Sequence, residues 1–472
     1  MKKNFIKVLV LATLGLSTFS CSDDLLEPTV AQSLTVESSV NTYDDLRVLM
    51  NGAYDFMADY RYWGRNIIIA GEVRADNVYA NASSGRFLAF GAMDIDVSNG
   101  DVSSIYQYAY KVIANCNIVI NSSVSGDADM INHIKAEALT LRALAHFDLL
   151  RVFGQHNITG QGGLDALGVC YVTEFKSSNL YPTRNTVREV RDLIYADLDN
   201  AINNFTSGLN DPDKYSVTSD AAYAIKSRVA IYFGDRTIAK NACEAIINNY
   251  SIASRATYAS TFSSPTASSN SIFELVQLTN DNNSINGLAS IYRKGQNNVG
   301  YGDIQVLNQF VADAGFDSDD IRSSNLMIDF DFGSSTRLVN VGKYPTMAAG
   351  NYSDNIKVIR YEEVVLNYAE ALLDTNPTEA LNQLNRIVSN RESSPNLYTV
   401  ANLDNVIKER RKELCFEGFR FDDLARTGRN IPLLDPVAQT HGGPVFGTYN
   451  YAFPIPLVEI NSNTNMEQNF GY

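Results

Sequence analysis

Apolar residues recur every three to four positions along most of the chain, which predicts helices rather than strands. Between residues 42 and 167 the pattern is mainly helical. Ala136, Leu139, Ala143, Phe147 and Leu150 form one stripe, and Leu141 and Leu144 widen it until the helix is apolar around much of its circumference. Gly154 closes that helix. A second begins after Thr186, with Val187, Val190, Leu193 or Ile194, Leu198 and Ala201 on one face and Arg188, Asp192 and Asn200 on others.

Two further segments read as helical hairpins. Ala224, Val229, Ile231 and Tyr232 lead into Gly234-Asp235, and Ile238, Ala239, Cys243, Ile246 and Ile247 follow on a partner helix. The turn, with a small residue five positions beyond its glycine, resembles that of a tetratricopeptide repeat, where alanine lets two helices approach. Tyr361, Val365, Tyr368 and Leu372 repeat the arrangement, broken at Pro377 and resumed by Ala380, Leu384 and Ile387. Several such pairs predict a short, interrupted helical solenoid, because each pair buries its apolar face only against neighbours. The stretches 251–271 and 279–354 differ. They are rich in Ser, Thr, Asn, Asp and Gly, with short extended pieces such as 271–276, and loops this long are commonly functional.

The amino terminus changes the picture of location. Lys2 and Lys3 precede a mostly apolar stretch, 5–16, and then Ser17-Thr18-Phe19-Ser20-Cys21, which reads as a secretory signal peptide over 1–20 with Cys21 as its lipidated first mature residue. Residues 21–41 read as a lipidated tether, and 42–472 as one domain. Its helical half lies mostly in 42–250 and 355–425, its loop-rich half mostly in 251–354 and 426–472. Ordinary secretion with cleavage near Ser20 is the alternative. The 472 residues carry 38 Lys+Arg against 53 Asp+Glu, a net charge of −15, which disfavours nucleic-acid binding. With 45% hydrophobic residues the chain has ample material for a core. Cys116, Cys170, Cys243 and Cys415 lack metal or redox spacing, and their apolar neighbours favour buried thiols over two disulfides. The chain contains no P-loop, Gly-x-Gly-x-x-Gly or Gly-x-Ser-x-Gly signature and no zinc-binding histidine pair. No cofactor or metal is expected. Asp94, Asp96, Asn99 and Asp101, or Asp317, Asp319 and Asp320, could gather calcium but miss the EF-hand spacing, and solvated acidic loops are the simpler reading.

Three blocks stand out. The first is Ala136-Glu137-Ala138-Leu139-Thr140-Leu141-Arg142-Ala143, running on into His146-Phe147-Asp148 and Gly154. The second is Ile359-Arg360-Tyr361-Glu362-Glu363, continuing to Asn367-Tyr368-Ala369-Glu370-Ala371. The third is Glu409-Arg410-Arg411-Lys412-Glu413-Leu414-Cys415-Phe416-Glu417-Gly418-Phe419-Arg420, and the chain closes with Phe453-Pro454-Ile455-Pro456 and Gln468-Asn469-Phe470-Gly471-Tyr472. In this order, behind a lipoprotein-like signal, they resemble the SusD/RagB family of outer-membrane nutrient-binding lipoproteins. Phe421 stands where that family often has tryptophan, and Phe470 where it usually has proline. The resemblance implies a mainly α fold, a tetratricopeptide-like superhelix packed against a loop-rich half. It further implies a non-catalytic, lipid-anchored protein on the cell-surface face of the outer membrane. Such a protein captures oligosaccharide and passes it to a SusC-like TonB-dependent transporter barrel. The alternatives are a helical-repeat protein that binds peptides or proteins, and a glycan-degrading enzyme.

The charged blocks read as architecture. Arg410, Glu413, Glu417 and Arg420 sit among apolar residues at spacings of three, and such charges should pair where they are buried. Carboxylates interleaved with arginines are held ionised and make poor general acids. A sugar needs flat apolar faces for its C–H side and polar groups for its hydroxyls. The segment with Tyr60, Tyr62, Trp63 and Arg65, followed by Arg74, Asp76, Asn77 and Tyr79, offers both, and Tyr292, Arg293 and Tyr301 could join it from the mid-chain loops. On this reading Trp63→Ala weakens ligand binding and leaves the melting temperature nearly unchanged. The competing reading places Trp63 and Tyr60 in the core.

Overall fold

Helix boundaries follow local signals. The computed structural model describes residues 40–176, 181–347 and 351–472, so Cys21, the signal peptide and most of the tether lie outside the described residues. Helix α1, Tyr43–Ala58, starts at a capping box in which the Thr42 hydroxyl accepts from the Asp45 backbone N–H at 3.2 Å and the Asp45 carboxylate accepts from the Thr42 N–H at 2.9 Å. It buries Leu46, Met50, Ala53 and Met57, a spacing that sets one face inward. After α2, Asn66–Val73, come α3, Gly100–Asn121, and α4, Ala128–Phe153, which Gly154 ends. Helix α5, Val187–Asn204, has a second capping box from Thr186 and Glu189. The hairpin α6, Ser219–Phe233, and α7, Arg236–Ile246, turns at Gly234, whose φ of +74° is open to glycine at little cost. Ala239 packs with Ala230, Ile231 and Ala371, the close approach expected of a tetratricopeptide-like pair. Helices α8, Tyr361–Ala371, and α9, Pro377–Ser389, form the next hairpin, and α10, Leu403–Glu413, and α11, Arg420–Arg426, follow it.

Each helix leans on its neighbours. α1 packs on α3 and α4, α4 on α5, α5 on α6, α7 on α8, and α8 on both α9 and α10. The result is a mainly helical stack in which Thr42–Tyr472 packs as one unit. Short antiparallel ladders tie the loop-rich part to it. β1, Val78–Ala80, pairs with β3, Ile304–Val306, with Tyr79 opposite Gln305. β2, Ser271–Leu275, pairs with β6, Ile356–Arg360, which runs directly into α8, and β4, Ile328–Phe330, pairs with β5, Leu338–Asn340. The loop-rich middle is therefore stitched to the helical half at both ends.

The charged blocks form the interior of the joint. Glu413 receives Arg360 at 2.6 Å, Arg391 at 2.9 Å and Arg322 at 3.1 Å, all buried. Burial raises its carboxyl's pKa, but the Arg391 and Arg360 guanidiniums outweigh that and hold it well below the usual carboxylate range. Glu417 receives Arg360 and Lys343, Arg410 pairs with Asp423, and Arg420 with Asp76. The four residues thus pair with distant segments rather than with one another across their three-residue spacing. Helix α10 ends at Glu413 and Gly418 turns the chain at a φ of +88°, so Glu417 and Arg420 do not share a helical face. Cys116, Cys170, Cys243 and Cys415 are buried, free thiols.

Candidate functional site

The turn after α1 folds inward. Its backbone N–H groups at Tyr62 and Gly64 bond to the Asp59 carbonyl, and Trp63 N–H bonds to the Met57 carbonyl. Gly64 is required there, since a Cβ would lie 2.3 Å from the Ala58 carbonyl oxygen. This turn drives Tyr62 and Trp63 into the core. Trp63 is 2% exposed, and its indole Nε1 donates to Asp148 at 2.8 Å beside the Tyr62 hydroxyl at 2.6 Å. Neither ring can stack on a sugar.

Most of the segment behind them is also interior. The Arg74 guanidinium is buried 3.6 Å from the centroid of Phe421 and 4.3 Å from that of Phe453, and burial lowers its pKa to about 10. Asp76 takes Arg420 at 2.6 Å and Arg411 at 3.1 Å, and Asn77 bridges Arg411 and Glu72. Tyr292 is buried parallel to Tyr344 and donates to the Phe416 carbonyl, while Arg293 donates to the carbonyls of Tyr344 and Pro345. The expectation of a ligand platform from Tyr62, Trp63, Arg74, Asp76, Asn77 and Tyr292 is corrected by the structure: buried indole, phenol and guanidinium groups need partners, and here they find them inside.

Tyr60, Tyr79 and Tyr301 lie nearer the surface, Arg65 is buried, and the aromatic contacts fall in two pairs, Arg65 with Tyr60 and Arg86 with Tyr301. Arg65, itself mostly buried, lies 4.6 Å from the Tyr60 centroid and 5.2 Å from that of Phe87. Next to Phe87, the Arg86 guanidinium lies 3.7 Å from the Tyr301 centroid and bonds Asp303 at 3.3 Å. Tyr79 stands apart, bonded to Gln305 across the β1–β3 ladder. The loop that presents Arg86 is unusual in its backbone: Ala82 and Phe87 both adopt positive φ, at 60° and 59°. Two strained non-glycine residues flanking a surface loop are a feature of functional segments. Asn81 pins the loop by donating to the Gly302 carbonyl and by accepting from Ser83 N–H at 2.9 Å.

A third element closes the arc. Asp331, in the β4–β5 hairpin, accepts from the backbone N–H groups of Lys294 and Gly295 at 2.9 and 3.0 Å and also holds Arg337. Docked in this way, the hairpin carries Phe330 and Phe332 at its tip, 48% and 61% exposed. Two open phenyl rings flanking one aspartate in Asp329-Phe330-Asp331-Phe332 were the available sequence signal, and neither they nor Arg86 and Lys294 figured in the sequence reading. On the other flank of Tyr60 lies a polar groove of about 360 Å³ lined by Asn51, Asp55, Asp59, Tyr215, Gln277 and Asn282. The arc therefore offers ring faces beside guanidinium, amide and carboxylate groups, the combination that sugar hydroxyls and C–H faces require.

The acidic loops considered for calcium are otherwise engaged. Asp96 accepts from Ser98, Asp101 from Asn66, Asp319 from Ser393 and Ser394, and Asp320 is paired with Arg322. Among the described residues no cluster of His, Cys, Asp and Glu could hold a metal ion. No helix among them is long and apolar enough to cross a membrane.

Comparison with known proteins gives consistent findings. A family model described as "SusD family" matches residues 276–472, and one described as "Starch-binding associating with outer membrane" matches 26–231. SusD-like protein P38 of Formosa agariphila is 23% identical over 99% of both chains. SusD-like protein P2 of the same organism is 31% identical over 33% of this chain and 30% of its own length. A solved structure from Bacteroides vulgatus, described as a candidate sugar-binding protein, is 30% identical, covers 92% of this chain and 99% of its own, and superposes with a TM-score of 0.82.

Proposed function

The chain belongs to the SusD family, and from that premise we propose that it captures an oligosaccharide at the Tyr60–Tyr301 arc and hands it to a TonB-dependent outer-membrane transporter without altering it. The descriptions of its relatives concern starch and sugar binding. The observation that carries the reading is the Arg86–Tyr301 pair. Arg86 fixes the tyrosine ring at the mouth of the loops while Phe330 and Phe332 extend an apolar surface from the docked hairpin. A rigid ring keeps its face available at little entropic cost on binding.

The non-catalytic part of the reading rests on where the carboxylates are. Those of the charged blocks are sealed in ion pairs with arginines, and at the arc Asp303 and Asp331 are engaged by Arg86, Arg337 and backbone N–H groups. Glycoside hydrolysis needs two free carboxyl groups facing one bond; Asp55 and Asp281, which have no ion pair among the described residues, line the polar groove and do not flank the Arg86–Tyr301 pair. Lipid attachment at Cys21 and exposure at the cell surface complete the proposal, since a capturing protein must face the medium.

Native gel electrophoresis in polysaccharide-containing gels, followed by chromatography of oligosaccharides incubated with the protein, tests this. We expect retarded migration in at least one glycan gel, with the oligosaccharides recovered intact. Unchanged migration in every gel, or release of shorter sugars, contradicts it.

A further inference from the structure

We propose that the arc takes a glycan bearing an anionic group, a uronate carboxylate or a sulfate ester, and that Arg86 and Lys294 receive it. The proposal rests on the glycan-binding reading above and names the ligand class of the same site. In a chain of net charge −15, Arg61 and Arg65 lie against the Tyr60 ring and Arg86 against that of Tyr301. Arg86 makes one long hydrogen bond, 3.3 Å to Asp303, and its side chain is 32% exposed. A guanidinium carries five N–H donors in a planar fork suited to carboxylate and sulfate oxygens, so most of them remain available here.

Lys294 is the second receiver. Its backbone N–H is fixed by Asp331, and its stem runs beside Gly302, where an added Cβ would lie 2.7 Å from Lys294 Cγ. Gly302 follows Tyr301 directly, so the Lys294 stem leaves the backbone next to the residue whose ring Arg86 covers. No carboxylate among the described residues pairs with it. Arg65 adds a third positive charge behind them. Its carboxylate partner, Asp101, is 3.5 Å away, and burial, together with repulsion from Arg86, lowers its pKa.

Arginine and lysine donate and never accept. A neutral sugar presents hydroxyls that need both kinds of partner, whereas an anionic group needs donors alone. The opposite flank of Tyr60 has the opposite sign: Asp55 and Asp281 line the polar groove with no ion pair among the described residues. That asymmetry directs the anionic unit of a bound chain toward Arg86 and Lys294 and away from the groove.

Calorimetric titration of the full chain with tetragalacturonate, a sulfated tetrasaccharide and maltotetraose tests the proposal. In about 0.1 M salt at least one anionic probe should bind about tenfold more tightly than maltotetraose, and the advantage should shrink in about 1 M salt, where screening shortens to a few ångströms. Whichever anionic probe binds identifies carboxylate or sulfate as the source. Lys294→Gln should weaken the anionic probe more than maltotetraose and so remove most of its advantage, with the melting temperature unchanged. Equal or tighter binding of maltotetraose overturns the anionic inference and leaves glycan binding standing. Equal weakening of all probes in Lys294→Gln overturns it too. Silence from every probe overturns both.

Discussion

Trp63 shows how a single residue can mislead. An indole beside Tyr60, Tyr62 and Arg65 has the composition of a sugar platform, and nothing in its spacing says that the chain turns inward at Gly64. Burial is decided by a contact 85 residues away, the bond from Trp63 Nε1 to Asp148. The sequence-based expectation for Trp63→Ala therefore reverses. The substitution should cost about 3–5 kcal/mol of stability, the range for emptying a large buried aromatic site, and leave any binding at the arc unaltered. Thermal melts beside binding assays check this. Glu72 makes a second prediction at this scale. Burial, the largest influence, raises its carboxyl's pKa from 4.5 to about 7, against hydrogen bonds from Gly418 N–H and Asn77 that lower it. The folded state thus binds a proton that the unfolded chain releases between those values. Its contribution to stability is present below about pH 4.5 and is lost as pH rises through about 7, at about 1.4 kcal/mol per pH unit within the window. Denaturant titrations of Glu72→Gln at about pH 5 and pH 8 should show a smaller loss than the parent.

At the scale of elements, helices were legible because a stripe at three-to-four spacing needs only local information, as in 136–150, and because Gly154, Thr186 and Gly234 mark ends. The short ladders were not, since β1 and β3 are three residues each and lie more than 200 positions apart, so pairing rather than propensity makes them strands. For the same reason the partners of Glu413 could not be read from its neighbours. Helix α2 meets the loop before α11 backbone to backbone: a Cβ on Gly71 would lie 2.0 Å from the Gly418 carbonyl oxygen. Gly71→Ala should therefore cost about 2–3 kcal/mol by overpacking. Gly100→Ala, where nothing lies within 4 Å, should be neutral or stabilising by about 0.5 kcal/mol. Parallel denaturation curves of the two variants decide whether this contact holds the blocks together.

At the scale of the molecule, the charged blocks and the closing segment identified the family, and they are the parts that join the halves. The proposed ligand site lies elsewhere, in loops at 81–86, 294–303 and 328–340 whose sequence signals are weak because loop geometry, not residue type, decides which rings reach solvent. Rigid joints and adaptable loops are thus separate in this chain. That separation allows the surface to be altered without unfolding the core. The most direct measurement is calorimetric titration of a retained glycan into the parent and into Tyr301→Ala, with melting curves for both. The account predicts saturable binding by the parent, about tenfold weaker binding by the variant, and a melting temperature moved by no more than a few degrees. Undiminished affinity in Tyr301→Ala would contradict it.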